Sequence, residues 1–456
     1  MRKVHLITFG CQMNKLDSEL AAEALAAAGY ALTDREAEAE VVVFNTCSVR
    51  DHAERRVLSR LAGLRSRREA EPEFRLGLMG CFAERDGEGL LARLPYLDFA
   101  LGTRQFARLP EIIAGLYPGG RRAGFFGGRE GEAPGVGRAS PRGRHRGPQA
   151  FVSVMRGCGN RCSYCVVPRV RGGETSRSPA EVIGEIRSLV LNGTREAILL
   201  GQNIDAYDRG GGGLAGLLRR IDREVPEETG LVRLRFVTSH PRDIGRELAA
   251  TVRELPRAAR HFHMPAQSGS DAVLARMRRG YDRAAYEDKL AMLREEVPGA
   301  LVASDFIVGF PGETEGDFLA TLDLVERAGF QNCYVFKYSP RPGTPAARDF
   351  PDDVPEGEKR RRHREILAAQ DRVNRRRGDG LRGSRLRVLA EGPSPRDPGR
   401  WIGRTGENLI CVFPPPETGG DPAGRLLEVE VLSSTSLTLF CRVAGEAGRE
   451  PGKDAP

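Results

Sequence analysis

Apolar and polar positions alternate between two periods over the first quarter of the chain. Val4 to Phe9 is a short apolar run ending at Gly10-Cys11, and Asp17 to Ala28 repeats at helical spacing and stops near Gly29. Glu40 to Phe44 is a β-rich run ending at Asn45-Thr46-Cys47, a helix is predicted from about Asp51 after a capping-box start at Ser48, and Arg75 to Met79 ends at Gly80-Cys81. Strands alternating with helices predict a parallel sheet wrapped by helices, a Rossmann-like α/β domain over residues 1–118.

Residues 119–148 are rich in Gly, Pro and Arg without periodicity and read as a linker. The alternation then resumes. Strands are predicted at 151–155, 196–200, 231–236, 261–264, 302–308 and 333–337, with helices between them. Ser178-Pro179-Ala180-Glu181 is a helix start with cap, first-turn proline and closing glutamate; Thr314 and Asp317 open another. Six β/α units predict a partial, laterally open (β/α)6 barrel over residues 149–376 rather than a complete eight-stranded one. Short runs at Leu386–Ala390, Asn408–Phe413, Leu426–Leu432 and Leu437–Val443 predict a small antiparallel β-barrel over 377–445, leaving 446–456 as a tail.

The length of 456 residues suits several domains, and the sequence has no apolar stretch long enough to span a membrane and no secretory signal, so a cytoplasmic protein with no membrane association is expected. The net charge of +8 is concentrated. Arg121 to Arg146 holds seven arginines and one histidine against Glu130 and Glu132, and Lys359 to Arg377 holds nine Lys/Arg on a predicted helix. Each alone is a solvated surface; together they point to a polyanionic partner, most simply RNA.

The nine cysteines carry the chemistry. Without an export signal they point to metals or catalysis rather than disulfides. Cys158, Cys162 and Cys165 form a Cys-x3-Cys-x2-Cys loop with no fourth local ligand, so a closed structural zinc site is a poor fit. On a four-iron cluster three thiolates leave one iron open to a small molecule. Cys11, Cys47 and Cys81 each sit just past a predicted strand, and the carboxyl ends of parallel strands share one edge. A second metal site there is the expectation. Cys333, Cys411 and Cys441 read as core thiols, and His240 and His263 as structural histidines.

The loop and its flanks, RGCGNRCSYCVVPRVRGGETSR, resemble the radical S-adenosylmethionine methylthiotransferases. ITFGCQMNKLDSE, NTCSVRDHAE, MGCFAE, LLGQNIDAY, FVTSHP, QSGSDAVLARMRRGY, DFIVGFPGETEGDF and FKYSPRPGTPAA fit the same family, and GRTGENLI fits its TRAM domain. Within it, CQMN and CSVRDHAE resemble the MiaB-type tRNA enzymes; Ala266 departs from the valine common before QSGS. The resemblance implies two 4Fe–4S clusters, one on Cys158, Cys162 and Cys165 and an auxiliary one on Cys11, Cys47 and Cys81. It implies that S-adenosylmethionine binds the open iron of the first and is cleaved to a deoxyadenosyl radical, and that the second delivers sulfur. Gly309, Gly312 and Glu313 would lie beside the cofactor, with Gln202 and Asn203 as further cofactor-binding residues; no side chain is expected to act as a catalytic acid or base.

The implied activity is methylthiolation at C2 of the isopentenylated adenosine next to the anticodon, with a tRNA anticodon stem-loop, S-adenosylmethionine and an electron donor such as flavodoxin or ferredoxin as partners of a monomer. A sibling methylthiotransferase acting on threonylcarbamoyl-adenosine in tRNA or on a ribosomal protein is the alternative. A non-catalytic iron–sulfur RNA-binding sensor is the reading from another class.

Overall fold

The computed structural model describes residues 1–49, 51–117, 119–127, 147–208, 211–417 and 419–446. These divide into two compact units: one takes the described residues of Met1–His145 with Phe151–Asn192 and Leu200–Asn203, the other those of Arg146–Ala150, Gly193–Leu199 and Ile204–Pro456.

The first unit is built on a six-stranded sheet of β1 (Lys3–Phe9), β2 (Ala31–Leu32), β3 (Val41–Thr46), β4 (Arg75–Gly80), β5 (Phe99–Leu101) and β6 (Ala123–Phe125), in the order β2-β1-β3-β4-β5-β6. All neighbouring pairs are parallel. Its central strands are apolar on both faces because helices cover both. Val42, Phe44, Leu76 and Leu78 pack with Val57 and Leu61 on one side, and Val41, Val43, Met79 and Phe99 pack with Leu25, Ile112 and Ile113 on the other. The helix predicted from Asp17 starts earlier, at Gln12, because Cys11 serves as its N-cap. Part of the predicted linker is also strand: β6 is only three residues long, too short to show a period, and pairing with β5 recruits it to the sheet edge. The remainder of the arginine-rich stretch, 128–146, lies outside the described residues.

The barrel strands fall where the sequence places them: β7 (Gln149–Ser153), then β10 (Glu196–Leu200), β11 (Arg233–Val237), β12 (His261–His263), β13 (Leu301–Val308) and β14 (Asn332–Lys337), with a minor hairpin of β8 (Met155–Arg156) and β9 (Thr175–Ser176) after β7. Of the three predicted capping boxes, those at Ser178/Glu181 and Thr314/Asp317 form. In the second unit β12, β13 and β14 are parallel neighbours, and their register sets His263, Asp305 and Tyr334 on one face. There His263 Nε2 lies 3.0 Å from Asp305 Oδ1, and the His263 and Tyr334 rings meet edge-on at 6.1 Å.

The chain ends in a closed five-stranded barrel of β15 (Arg385–Ser394), β16 (Asp397–Arg404), β17 (Ile410–Phe413), β18 (Leu426–Ser434) and β19 (Thr438–Glu446). The expected small antiparallel barrel forms, with one parallel pairing, β17 with β19, closing it. β16 was not legible in the sequence: DPGRWIGR carries Pro and Gly, and its pairing with β15 is interrupted by register shifts. Gly403 is required there, since a Cβ would stand 2.3 Å from the Leu389 carbonyl oxygen.

Within the second unit a buried charge cluster ties this barrel to strands β10 and β11. Glu196 Oε1 receives Arg235 Nε at 2.8 Å, and Gln149 Nε2 donates to the other carboxylate oxygen at 2.7 Å. Arg235 also donates to the carbonyls of Thr405 and Gly406, and Arg233 to that of Arg404, so the GRTG turn docks on the arginines of β11. Burial works against ionised Glu196, but Arg235 and Arg233 overcome it and hold the carboxyl below its ordinary range. Its contribution to stability is thus present above the ordinary carboxyl value of 4.5 and is lost as pH falls through the lowered one. Removing the partner leaves a buried charge uncompensated, so Arg235→Met is expected to cost about 3–5 kcal/mol. Urea unfolding at pH 7 measures it, and the deficit should shrink in acid.

Candidate metal centre

Strand register brings the first cysteine set together. Phe9 is opposite Thr46, and Thr46 opposite Gly80, on the adjacent strands β1, β3 and β4. Cys47 and Cys81 are the next residues on their strands and Cys11 is two residues on, so the three thiols leave one sheet edge side by side. Cys47 and Cys81 are buried and Cys11 is partly buried. Gly80 makes the last turn possible: its φ is +99°, and a Cβ would stand 2.3 Å from Asn45 Oδ1.

The letters around these cysteines hold the edge in place. Asn14 Nδ2 donates to Asn45 Oδ1 at 3.0 Å, while Asn45 Nδ2 donates to the Asn14 carbonyl at 2.8 Å and to Ser18 Oγ at 2.9 Å. Cys11 Sγ lies 3.2 Å from Asn14 Oδ1, and the Val49 N–H donates to Cys47 Sγ at 3.2 Å. Arg85, four residues after Cys81, bonds Glu54 at 2.7 Å and Ser48 at 3.1 Å and so ties the loops after Cys47 and Cys81 together. None of Asn14, Asn45, Glu54 or Arg85 was singled out from the sequence; Asn45 alone carried a signal, as a polar residue at the end of an otherwise apolar strand, while the other three lie on the helices that follow the strands.

The second set is shaped differently. Cys162 is buried, Cys158 and Cys165 are partly buried, and the loop closes on itself where the Cys165 N–H meets the Cys162 carbonyl at 3.1 Å. Gln202, one of the expected cofactor residues, accepts the Gly157 N–H at 2.5 Å and so orients the start of this loop; Asn203 is buried beside it in sequence. The two sets meet. Cys81 packs in one apolar cluster with Val166 and Val170, which follow Cys165 directly, and Arg171 Nε donates to Cys81 Sγ at 3.3 Å.

Gly309, Gly312 and Glu313 belong to the other unit. Gly309 and Gly312 have φ of +69° and +73°. Glu313 accepts the Gly309 N–H at 2.6 Å and Arg362 Nη1 at 2.7 Å, and burial raises its carboxyl above the ordinary range despite both bonds. This corrects one expectation about the basic helix Glu356–Gly380: Lys359 and Arg362 are 3% and 5% exposed and face the core, so that part of the helix braces a turn instead of gripping a polyanion. His240 is buried edge-on to Tyr281, in keeping with a structural histidine. Of the other thiols, Cys333 donates to Gln370 at 3.0 Å, and Cys411 and Cys441 lie in the core of the terminal barrel.

Among the described residues no three His, Cys, Asp or Glu side chains are arranged around a single metal ion. An iron–sulfur cubane makes a different demand, since each thiolate binds its own corner iron. The donor set fits that group: three clustered thiols, a guanidinium on one of them, and Arg171 Nη1 buried without a hydrogen-bond partner among the described residues. A hydrogen bond from Cys47 is the main cause lowering Cys11 to about 6, with help from the Arg171 charge, while Cys47 is pushed well above the ordinary thiol value by that same bond and by burial. Burial raises Cys81 and Cys158.

Comparison with known proteins defines the class. The model described as Uncharacterized protein family UPF0004 matches residues 3–102, and that of the Radical SAM superfamily matches 152–325. In fold the chain is similar to the radical S-adenosylmethionine methyltransferase TsrM of Kitasatospora setae, with a TM-score of 0.55 over 76% of this chain and 77% of that one at 17% identity. Two curated relatives are much nearer in sequence. The tRNA-2-methylthio-N(6)-dimethylallyladenosine synthases of Moorella thermoacetica and Geobacter metallireducens are 42% and 44% identical, over 95% and 97% of this chain and 96% and 98% of theirs. The chain belongs to the family of these radical S-adenosylmethionine methylthiotransferases.

The thiol order has a measurable consequence. In metal-free protein Cys11 is expected to be alkylated by iodoacetamide with a rate half-maximal near pH 6, while Cys81 stays slow until well above neutral pH. Peptide mass spectrometry across a pH series would read both.

Proposed function

We propose that this chain transfers a methylthio group to C2 of N6-dimethylallyladenosine in the anticodon loop of tRNA, the reaction its curated relatives are named for. The observation that carries this is the pairing of two three-cysteine sets, one gathered by strand register and one on a tight loop, joined through Cys81 and the segment after Cys165. Cys158, Cys162 and Cys165 would hold one 4Fe–4S cluster, and Cys11, Cys47 and Cys81 the other. When bound, the first supplies reductive cleavage of S-adenosylmethionine and the second the sulfur. The protein's own work is to expose one open corner at each site, to keep the loops fixed through Asn14, Asn45, Arg85 and Gln202, and to hold thiolates in a buried place. Glu313, tied to Arg362, shapes its turn, and Gln202 remains the better-placed cofactor residue because it orients the Cys158 loop.

A base in an anticodon loop must leave its stack to reach a buried reagent, and single-stranded loops are where RNA offers its base edges. The terminal barrel is read as a TRAM-like RNA-binding module. Arg364 and Arg376, exposed and without an ion pair among the described residues, are the phosphate-facing part of the basic helix. No described helix is long and apolar enough to cross a membrane. A cytoplasmic monomer, reduced by a flavodoxin or ferredoxin, completes the reading.

Anaerobic reconstitution should load about eight irons per chain and, with reductant, S-adenosylmethionine and isopentenylated tRNA, yield the 2-methylthio nucleoside on digestion. Cys162→Ala should abolish cleavage of S-adenosylmethionine, while Cys47→Ala should retain cleavage and lose sulfur insertion. Redox-dependent RNA affinity with no cleavage would favour an iron–sulfur sensor instead. Product appearing only on threonylcarbamoyl-adenosine or on a ribosomal protein would move the chain to a sibling activity.

The charge assignment has its own readout. Arg364→Gln and Arg376→Gln should each weaken tRNA binding and reduce the slope of log K against log salt by about 1. Unchanged slopes would take this helix out of the interface.

A further inference from the structure

Arg171 ends the short helix Val167–Arg171 just after the Cys158–Cys165 loop, yet its guanidinium serves the other cysteine set. Nε donates to Cys81 Sγ at 3.3 Å, and Nη2 lies 2.7 Å from Asp17 Oδ2. Nη1 is buried with no hydrogen-bond partner among the described residues. Arg156, two residues before Cys158, reaches Asp17 Oδ1 at 3.0 Å. Asp17 is 1% exposed and sits on the helix that Cys11 caps. Both flanks of the second cysteine loop are therefore clasped, through one carboxylate, to the helix that begins at the first set.

Two guanidiniums against one carboxylate leave a buried excess of positive charge and an orphaned donor. Burying both is costly unless an anion stands beside them. The neighbouring thiols are the available anion, with Cys81 Sγ 3.3 Å from Arg171 Nε. A four-iron cluster on three thiolates carries net negative charge, so the same cation suits it.

We infer that Arg171 is a positioning residue for the N-terminal cluster: its N–H···S bond to Cys81 and its charge, balanced by Asp17, set that cluster's reduction potential. This rests on the reading that Cys11, Cys47 and Cys81 hold a cluster. Hydrogen bonds to ligand sulfur and nearby positive charge stabilise the reduced, more anionic form, and potentials of such clusters follow both. Arg171 and Asp17 must then act with opposite sign.

The test uses the full chain carrying Cys158→Ala, Cys162→Ala and Cys165→Ala, so that only the N-terminal site is loaded, and reads the midpoint potential by anaerobic titration followed by electron paramagnetic resonance. Arg171→Gln should shift the midpoint to more negative potential, Asp17→Asn to more positive, and Arg171→Lys should fall between parent and Arg171→Gln. Should Arg171→Gln fail to fold, the near-isosteric Asp17→Asn and the charge-keeping Arg171→Lys still decide the sign. Midpoints that stay at the parent value, or that move in the same direction for Asp17→Asn as for the Arg171 variants, overturn the inference. A parent that binds no four-iron cluster at the N-terminal site overturns instead the underlying assignment of Cys11, Cys47 and Cys81.

Discussion

The register of three parallel strands is the constraint on which the site depends. Because Phe9, Thr46 and Gly80 stand level on β1, β3 and β4, residues far apart in sequence leave the sheet at one edge, and the cysteines that follow have nowhere else to go. A one-residue slip of β3 would turn Val42 and Phe44 toward the wrong helices and carry Cys47 away from its neighbours. The packing that fixes the core is therefore the packing that assembles the thiols. Asn14 and Asn45 brace this edge, joining the start of the helix that Cys11 caps to the end of β3.

Charge does the complementary work. Buried cations recur wherever the fold must hold an anion or a turn: Arg171 at Cys81, Arg362 at Glu313, and Arg235 and Arg233 at Glu196. Each guanidinium offers several donors in a fixed plane, so it can bind a side chain and a carbonyl at once. Arg235 does this most fully, joining Glu196 to the GRTG turn of the terminal barrel. The +8 surplus read from the sequence as a polyanion signal is thus partly internal, and Lys359 and Arg362 show why a count of charges on a helix says little about which face they occupy.

The methylthiotransferase reading joins these two themes. Chemistry at an aromatic carbon without an acidic proton asks little of side-chain acids and bases, and the conspicuous polar residues here position loops or neutralise charge. Asn14, Gln202, Arg85 and Arg171 each touch a cysteine or the loop that carries one. Their precision matters more than their reactivity.

The sequence alone was enough for the strand–helix alternation, the six barrel strands, the capping boxes at Ser178 and Thr314 and the spacing of the cysteines, because these depend on local periodicity and on side-chain chemistry within a few residues. It missed β6 and β16, where three residues or a bulged Pro/Gly segment carry no period and pairing alone makes the strand. It also missed the parallel closure of the terminal barrel, which is a property of how strands meet and not of any strand. Asp17 lies 139 residues before Arg156 and further still before Arg171, and only the folded chain makes the three one charge cluster. Burial and register are long-range outcomes, so which charges serve the site was decided by tertiary structure.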